Sequence, residues 1–165
     1  MSLEIERRFL IKNDNWKEFI TKKILIEQGY LSKSLDDWII RIRFTGKEFK
    51  IALKKHIKSF TNFEFEYSIP SKDGETIMSN LSNTIKKERF FLEVEKKSWI
   101  IDCFKENNYP LEIAEIELSN EKENLILPSF LSKEITGLTH YSNFSLANKP
   151  FSQWKDDYLT TLKND

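Results

Sequence analysis

The stretch Glu4-Ile5-Glu6-Arg7-Arg8 lies inside an apolar-tipped run, residues 3–11, and decides how the remaining chain is interpreted. A β-strand sends alternate side chains to opposite faces. Both glutamates and the second arginine therefore share one face, while the isoleucine and the first arginine take the other. Alone, this arrangement is typical of any surface strand that turns charge toward solvent.

Charge at alternating positions returns along the chain, with both signs and among aromatic and aliphatic neighbours. The further stretches are Arg41-Ile42-Arg43, Lys50 with Ala52 and Lys54, Glu64-Phe65-Glu66, Lys87-Glu88-Arg89 and Glu115-Ile116-Glu117. Together with the first stretch they predict six strands that each carry charge on one face.

Composition limits the classes of protein that this chain can represent. Its 165 residues suit a single domain, residues 1–165, and 39% hydrophobic residues are enough for a core. Lys+Arg and Asp+Glu balance at 26 each, which argues against a nucleic-acid duplex as partner. The single cysteine, Cys103, excludes an internal disulfide, and neither a secretory segment nor a membrane span is visible. We therefore expect a cytoplasmic protein without a membrane partner.

Hydrophobic periodicity predicts eight strands with mostly hairpin spacing and a few helices. The predicted strands are residues 3–11, 25–33, 38–45, 49–57, 62–69, 85–95, 98–104 and 111–119. The predicted helices are one capped by Asp14 that carries Trp16, Phe19, Ile20 and Ile24, then residues 71–81, residues 141–147, and a C-terminal helix at about 150–162.

Strands of this number and spacing favour a sheet that closes on itself, with either a charged outer face or a charged lumen. An unpaired ion removed from water costs several kcal/mol, against a total stability of about 5–15 kcal/mol, so a dry lumen full of charge is excluded. A hydrated lumen in which basic and acidic side chains face one another is tolerable. We therefore predict an α+β fold built on a closed eight-stranded antiparallel β-barrel with peripheral helices.

A lumen that carries both signs of charge suits a polyphosphate chelated to a divalent metal. Phosphate oxygens favour Arg and Lys, and the planar guanidinium can bind two of them at once. Mg²⁺ or Mn²⁺ favours a few carboxylates and several waters. A purely basic patch could not hold the metal, and a purely acidic ring could not hold the phosphates.

The ordered set of motifs resembles the CYTH superfamily, the triphosphate tunnel metalloenzymes, from residue 4 to about residue 150. The first stretch is similar to the ExExK signature of that family except at Arg8. Further matching stretches are Gln28-Gly29-Tyr30-Leu31, Arg41-Ile42-Arg43, Leu53-Lys54, Glu64-Phe65-Glu66-Tyr67, Lys87-Glu88-Arg89, Trp99-Ile100-Ile101-Asp102, Ala114-Glu115-Ile116-Glu117-Leu118, and Tyr141-Ser142-Asn143 with Leu146-Ala147.

This resemblance implies an eight-stranded tunnel that binds a triphosphate and a divalent metal, Mg²⁺ or Mn²⁺. The metal ligands that it implies are Glu4, Glu6, Glu115 and Glu117. The phosphate-binding residues are Arg8, Arg41, Arg43, Lys54, Lys87 and Arg89, of which Arg8 and Lys54 join Glu4 and Glu6 as the catalytic set. The supporting residues are Glu64, Glu66 and Asp102, which orient those cations or a second metal. Lys50 has the parity of Lys54 but lies outside the family pattern.

Departures from the family pattern leave more than one function open. Arginine cannot give up a proton, so charge stabilisation is the role that survives at Arg8. The family glutamate after Trp99 is replaced by Ile100, and the arginine before the fifth-strand glutamates is missing at Thr61-Asn62. The first expectation is hydrolysis of inorganic tripolyphosphate or of a nucleoside or other organic triphosphate. The alternatives are a class IV adenylyl cyclase and a polyphosphate-binding module without turnover. For any of these functions we expect a monomer or a homodimer.

Overall fold

The computed structural model describes residues 3–35 and 37–156, and in these ranges the chain is mostly antiparallel β-structure. Its strands are β1 Leu3–Ile11, β2 Ile20–Tyr30, β3 Ile39–Phe44, β4 Phe49–Lys58, β5 Thr61–Ile69, β6 Thr84–Val94, β7 Lys97–Phe104, β8 Glu112–Glu117 and β9 Leu131–Glu134. Its α-helices are α1 Ser71–Ser79 and α2 Asn143–Asn148. Within the described ranges, no helix combines the length and apolar character needed to cross a membrane.

Eight of the strands form a closed ring, which confirms the predicted barrel. The strands follow the order β5-β4-β3-β2-β6-β7-β8-β1, and pairing of β1 with β5 completes the ring. That closure uses the residue pairs Leu3 with Phe63, Glu4 with Asn62 and Ile5 with Thr61. The ninth strand, β9, lies outside the ring and pairs only with the second half of β1.

The outward face of one wall packs into an apolar core. Phe9 of β1 and Trp99 of β7 contact each other there, with ring centroids 5.9 Å apart. Trp16, from a 3-10 helix at Asp14–Phe19, covers the same face and is 1% exposed. The outward-facing Phe9 of β1 is therefore buried by flanking segments, whereas Glu4, Glu6 and Arg8 of the same strand face the lumen.

A second apolar core fills one end of the barrel. Its strand residues continue the inward-facing rows of β1, β6, β7 and β8; they are Leu10, Ile85, Phe104 and Ile113. They pack against Tyr141, Leu146 and Phe151 from residues 139–153, which we name the floor segment. The floor segment contains a 3-10 helix at Thr139–Tyr141, helix α2, and a 3-10 helix at Phe151–Gln153. The lumen is thus apolar at the floor and charged above it.

The structure differs from the sequence predictions at one helix and at one additional strand, and it covers only part of the predicted C-terminal helix. The helix predicted to be capped by Asp14 is a 3-10 helix, Asp14–Phe19, and Asn13 caps it instead. It ends at Phe19 because Ile20 and the following residues pair with β6 in strand β2. Strand β9 was not predicted from the sequence, since its four residues carry little alternation. The C-terminal helix predicted at about 150–162 begins as the 3-10 helix at Phe151–Gln153, and residues 157–162 of that prediction lie outside the described residues.

Candidate active site

The carboxylates of β1 meet those of β5 around a single ammonium group. Lys54 contacts the carboxylate of Glu4, lies 3.2 Å from Oε1 of Glu6, and lies 3.8 Å from Oε2 of Glu64. The alternation within β1, and the pairing of Lys54 with Glu64 across β4 and β5, bring these groups together. We name Glu4, Glu6, Glu64 and Lys54 the carboxylate cluster.

Arginines of β3 extend this cluster along the lumen. The Arg41 guanidinium lies 2.7 Å from Glu64 and 3.7 Å from Glu66. Arg43 lies 3.3 Å from the Glu66 carboxylate, which also pairs with Lys50 at 3.3 Å. Lys50 therefore lies in the charged lumen, as its alternation with Lys54 along the strand predicted, although it lies outside the family pattern.

The opposite wall presents a second set of ion pairs. The Arg89 side chain donates to both oxygens of Asp102, at 2.8 and 2.7 Å, and to Glu115 at 3.1 Å. Glu115 is shared with Arg8, whose Nε lies 3.3 Å from its carboxylate. The Arg8 guanidinium also donates to the Tyr141 carbonyl oxygen at 2.6 Å, which links this wall to the floor segment.

Lys87 differs from the other predicted phosphate-binding residues in its exposure. Its side chain is 0% exposed, whereas those of Arg89 and Arg41 are both 11% exposed. The Lys87 ammonium donates to Asp102 and, at 3.1 Å, to Oδ1 of Asn143 in α2. Lys87 therefore lies on an inward row of the barrel but below the exposed surface of the lumen, next to α2.

Glu117 completes the acidic set at the open end. It pairs in register with Glu6 across β1 and β8, so both residues lie on the lumen face. Glu117 lines a cavity of about 480 Å³ together with Glu4, Arg43, Glu64 and Glu66. Every residue of the predicted site therefore lies on the inward rows of the barrel, in the arrangement described above.

The carboxylate cluster holds more negative charge than its surroundings compensate. Burial, reinforced by the nearby Glu6 and Glu64 carboxylates, raises the pKa of Glu4 from 4.5 to about 8. Burial acts on Glu6 in the same direction, but Lys54 and Arg8 outweigh it and lower the pKa of Glu6 to about 2. Of the two β1 glutamates, Glu6 therefore favours its ionised form, whereas burial and the neighbouring carboxylates favour the protonated form of Glu4.

Arg43 differs from Arg41 and Arg89, because neighbouring carboxylates outweigh burial and raise the pKa of those two arginines. Burial, followed by repulsion from Arg41 and Arg89, lowers the pKa of Arg43 from 12.5 to about 10. Among the described residues, the buried Nε groups of Arg41 and Arg43 have no hydrogen-bond partner. Buried donors without acceptors are costly, so this region is suited to an anion that supplies oxygens.

The proton on Glu4 leads to a prediction about pH. Because the folded chain holds this proton more tightly than the unfolded chain, the metal-free free energy of unfolding should fall as pH rises from about 5 to about 8. We expect a slope of up to about 1 kcal/mol per pH unit relative to Glu4→Gln, which lacks the titrating group. Urea unfolding of both chains in chelator at several pH values measures the difference. Parallel pH dependences of the two chains would contradict the assignment.

Two lumen residues were missed by reasoning from charge alone. Gln28 is 0% exposed and donates through Nε2 to the Tyr30 hydroxyl at 2.5 Å. In register, Gln28 lies beside Arg43 and Tyr30 beside Arg41 across β2 and β3. Burial raises the pKa of Tyr30 to about 12, so its hydroxyl stays protonated. Their parity relative to the two arginines was the signal that would have placed them in the lumen.

The donor chemistry of the carboxylate cluster fits a divalent cation of the Mg²⁺ or Mn²⁺ type. Within residues 3–35 and 37–156, no three acidic, histidine or cysteine groups form a ready-made metal site. However, Glu4 and Glu6 approach the same ammonium, and carboxylate oxygens are the ligands that these hard cations favour. The raised pKa of Glu4 indicates a local shortage of positive charge that such a cation would relieve.

The chain is similar in sequence to two curated inorganic triphosphatases. It is 30% identical over 158 residues to an inorganic triphosphatase from Acetivibrio thermocellus, which covers 94% of this chain and all of the relative. It is 26% identical over 148 residues to an inorganic triphosphatase from Nitrosomonas europaea, covering 87% of this chain and 96% of the relative. A scan against models of protein families returns no match.

Solved structures show the same architecture. The crystal structure of an inorganic triphosphatase superposes with a TM-score of 0.66 at 26% identity, covering 89% of this chain and 95% of that one. A candidate adenylyl cyclase from Hippeastrum, described as having a dominant triphosphatase activity, shares the fold at a TM-score of 0.55 and 15% identity, covering 73% of this chain and 80% of that one. With a charged barrel lumen and full-length similarity to a curated relative, the chain belongs to the CYTH superfamily of triphosphate tunnel metalloenzymes.

Proposed function

We propose that this chain is a divalent-metal-dependent hydrolase that cleaves inorganic triphosphate in the barrel lumen. The observation that carries the proposal is that one cavity is lined by the Arg43 guanidinium and by the carboxylates of Glu4, Glu64, Glu66 and Glu117. A metal-chelated triphosphate carries both complementary charges, so a single ligand satisfies both groups. The curated relatives, both named inorganic triphosphatases, support the same reading.

The proposed assignment of residues follows their exposure and partners. Phosphate oxygens bind to Arg41, Arg43 and Arg89, whose guanidinium groups line the lumen. Glu4, Glu6 and Glu117 hold the metal at the open end, with Glu115 as the fourth ligand after release from the arginines that share it. Lys54 lies between the two sets, and its pKa is raised because Glu6 and Glu4 outweigh the effect of burial. It therefore stays charged and contributes to both.

The proposed reaction is a direct in-line attack of water on a terminal phosphorus. The bound metal supplies charge neutralisation on nonbridging oxygens and helps to activate the water. Arg41, Arg43 and Arg89 hold the phosphate chain so that the attacking oxygen, the phosphorus and the leaving oxygen are aligned. Glu6, ionised at neutral pH, orients the water by accepting a hydrogen bond. The new O–P bond replaces the bridging P–O bond, giving orthophosphate and pyrophosphate, and the water proton passes to solvent.

One assay tests the proposed function against its alternatives. Purified protein is incubated with tripolyphosphate or ATP in Mg²⁺ or Mn²⁺, and orthophosphate, pyrophosphate and cyclic AMP are measured. We expect orthophosphate and pyrophosphate from tripolyphosphate, loss of the activity in excess chelator, and recovery on adding the metal back. Cyclic AMP from ATP would instead identify a cyclase. Thermal stabilisation by tripolyphosphate without any product would identify a binding module.

A further inference from the structure

The burial of Lys87 is unexpected for a residue that binds phosphate. Its side chain has no exposed surface, and its ammonium is surrounded by Asp102, Asn143 and the ring of Phe104, whose centroid lies 5.4 Å from Nζ. Asp102 and Asn143 each accept a hydrogen bond from this ammonium. A phosphate oxygen in the lumen therefore reaches Lys87 only if these contacts are broken.

A continuous series of polar contacts connects Lys87 to the lumen surface. Asn143 accepts from Lys87, Lys87 donates to Asp102, and Asp102 accepts two hydrogen bonds from the Arg89 side chain. Asp102 is 0% exposed, whereas the Arg89 side chain is 11% exposed and reaches Glu115. Arg89 is therefore the member of this series that faces the ligand.

We propose that Lys87 and Asn143 are positioning residues, which hold the Asp102 carboxylate so that Arg89 presents its guanidinium to the phosphate chain. This inference rests on the proposed function, because it assigns Arg89 to the triphosphate. Lys87 supplies the second positive charge that a buried carboxylate needs, and Asn143 fixes the position of that charge from the start of α2. The floor segment thereby acts on the binding surface through a side chain that the ligand does not touch.

Packing around α2 gives Asn143 a fixed position. Ser142 caps the helix by accepting from the backbone N–H of Ser145 at 3.1 Å. Asn108, 4% exposed, donates to the Leu146 carbonyl oxygen at 3.2 Å and accepts from the backbone N–H of Phe151 at 2.8 Å. The cap orders the start of α2, and Asn108, from the 3-10 helix Glu106–Asn108 between β7 and β8, holds its second half, so the Asn143 amide is kept within reach of Lys87.

A double-mutant cycle distinguishes a positioning role from direct contact. Lys87→Met, Arg89→Met and the double variant are compared by calorimetric titration with metal-free tripolyphosphate, which reports binding without turnover. We expect a loss of affinity of about tenfold for Lys87→Met and about a hundredfold for Arg89→Met. If Lys87 acts through Arg89, the double variant loses no more than Arg89→Met alone. A product of the two losses, about a thousandfold, would show that Lys87 contacts the ligand independently and would overturn the proposal.

The role of Asn143 is tested in the same way. Asn143→Ala should weaken tripolyphosphate binding in the unaltered chain and have no further effect in Lys87→Met. Asn148→Ala, in the last turn of the same helix, is the matched control and should leave affinity unchanged, because the Asn148 side chain donates to the Phe144 carbonyl oxygen within its own helix. Unchanged affinity in Asn143→Ala, with an unfolding temperature like that of the control, would refute the proposal. If the unaltered chain binds tripolyphosphate neither alone nor with Mg²⁺, both this inference and the proposed function are wrong, whereas binding with multiplicative losses removes the inference alone.

Discussion

Replacing Glu4 and Glu6 together by glutamine is expected to lower metal-dependent tripolyphosphate hydrolysis by on the order of a thousandfold. Both side chains approach Lys54, and both lie at the end of the lumen that we assign to the metal. Glutamine keeps the shape of each side chain but removes the negative charge that a divalent cation needs. The measurement is the initial rate of phosphate release at saturating metal and substrate.

The matched control for this experiment is Glu134 of β9, which pairs with the outer face of β1. Arg7 pairs with Glu134 across β1 and β9, with the guanidinium 2.6 Å from the carboxylate, on the face opposite Glu4 and Glu6. Glu134→Gln should retain at least about half of the activity, since an exposed ion pair contributes about 1 kcal/mol or less to stability. A double variant that turns over at the rate of this control would remove both glutamates from the mechanism.

Arg43→Met is expected to weaken tripolyphosphate binding by about a hundredfold while stabilising the unliganded protein. Burial and the charges of Arg41 and Arg89 oppose the Arg43 guanidinium, as its lowered pKa indicates. Its partner Glu66 would still contact Lys50 and Arg41, so no buried carboxylate is left uncompensated. Removing the charge should therefore raise the free energy of unfolding by about 1 kcal/mol.

Two measurements on the same preparation check this prediction. Calorimetric titration gives the affinity for tripolyphosphate, and urea unfolding in ligand-free buffer gives the stability. A stability that falls together with the affinity would show that Arg43 supports the fold rather than the ligand. A lower affinity together with a higher free energy of unfolding would show that the Arg43 charge serves binding and destabilises the unliganded protein.

The barrel and its charged lumen were predictable because alternation is a property of the sequence. Once Glu4, Glu6 and Arg8 shared a face with no apolar residue between them, the cost of burying unpaired ions left few architectures. The helix predicted across Ile20 and Ile24 was wrong because the long pairing of β2 with β6 outweighs a local 3.6-residue period. Strand pairing joins residues that are distant in the sequence, so the helix propensity of a short segment cannot predict it.

The floor and the partners of each charge were not predictable from the sequence. Leu10 has the parity of Arg8, so alternation alone places both in one lumen without showing that one end is apolar. The contact between Arg8 and the Tyr141 carbonyl oxygen joins residues 133 positions apart and involves a backbone group that carries no sequence signal. The burial of Lys87 likewise depends on how α2 packs against β6.

The ring closes where β1 meets β5; among the described residues this pairing has three residue pairs, and Glu4 is in the middle one. The amide of its partner Asn62 also donates to the Glu4 carboxylate, at 3.3 Å. Glu4, which we assign to cation binding, therefore also forms part of the strand pairing that closes the barrel. Cation binding would stabilise the pairing of β1 with β5. Hydrogen exchange of the backbone amides that flank this pairing should therefore slow when the metal is bound, while amides on the opposite wall should respond less.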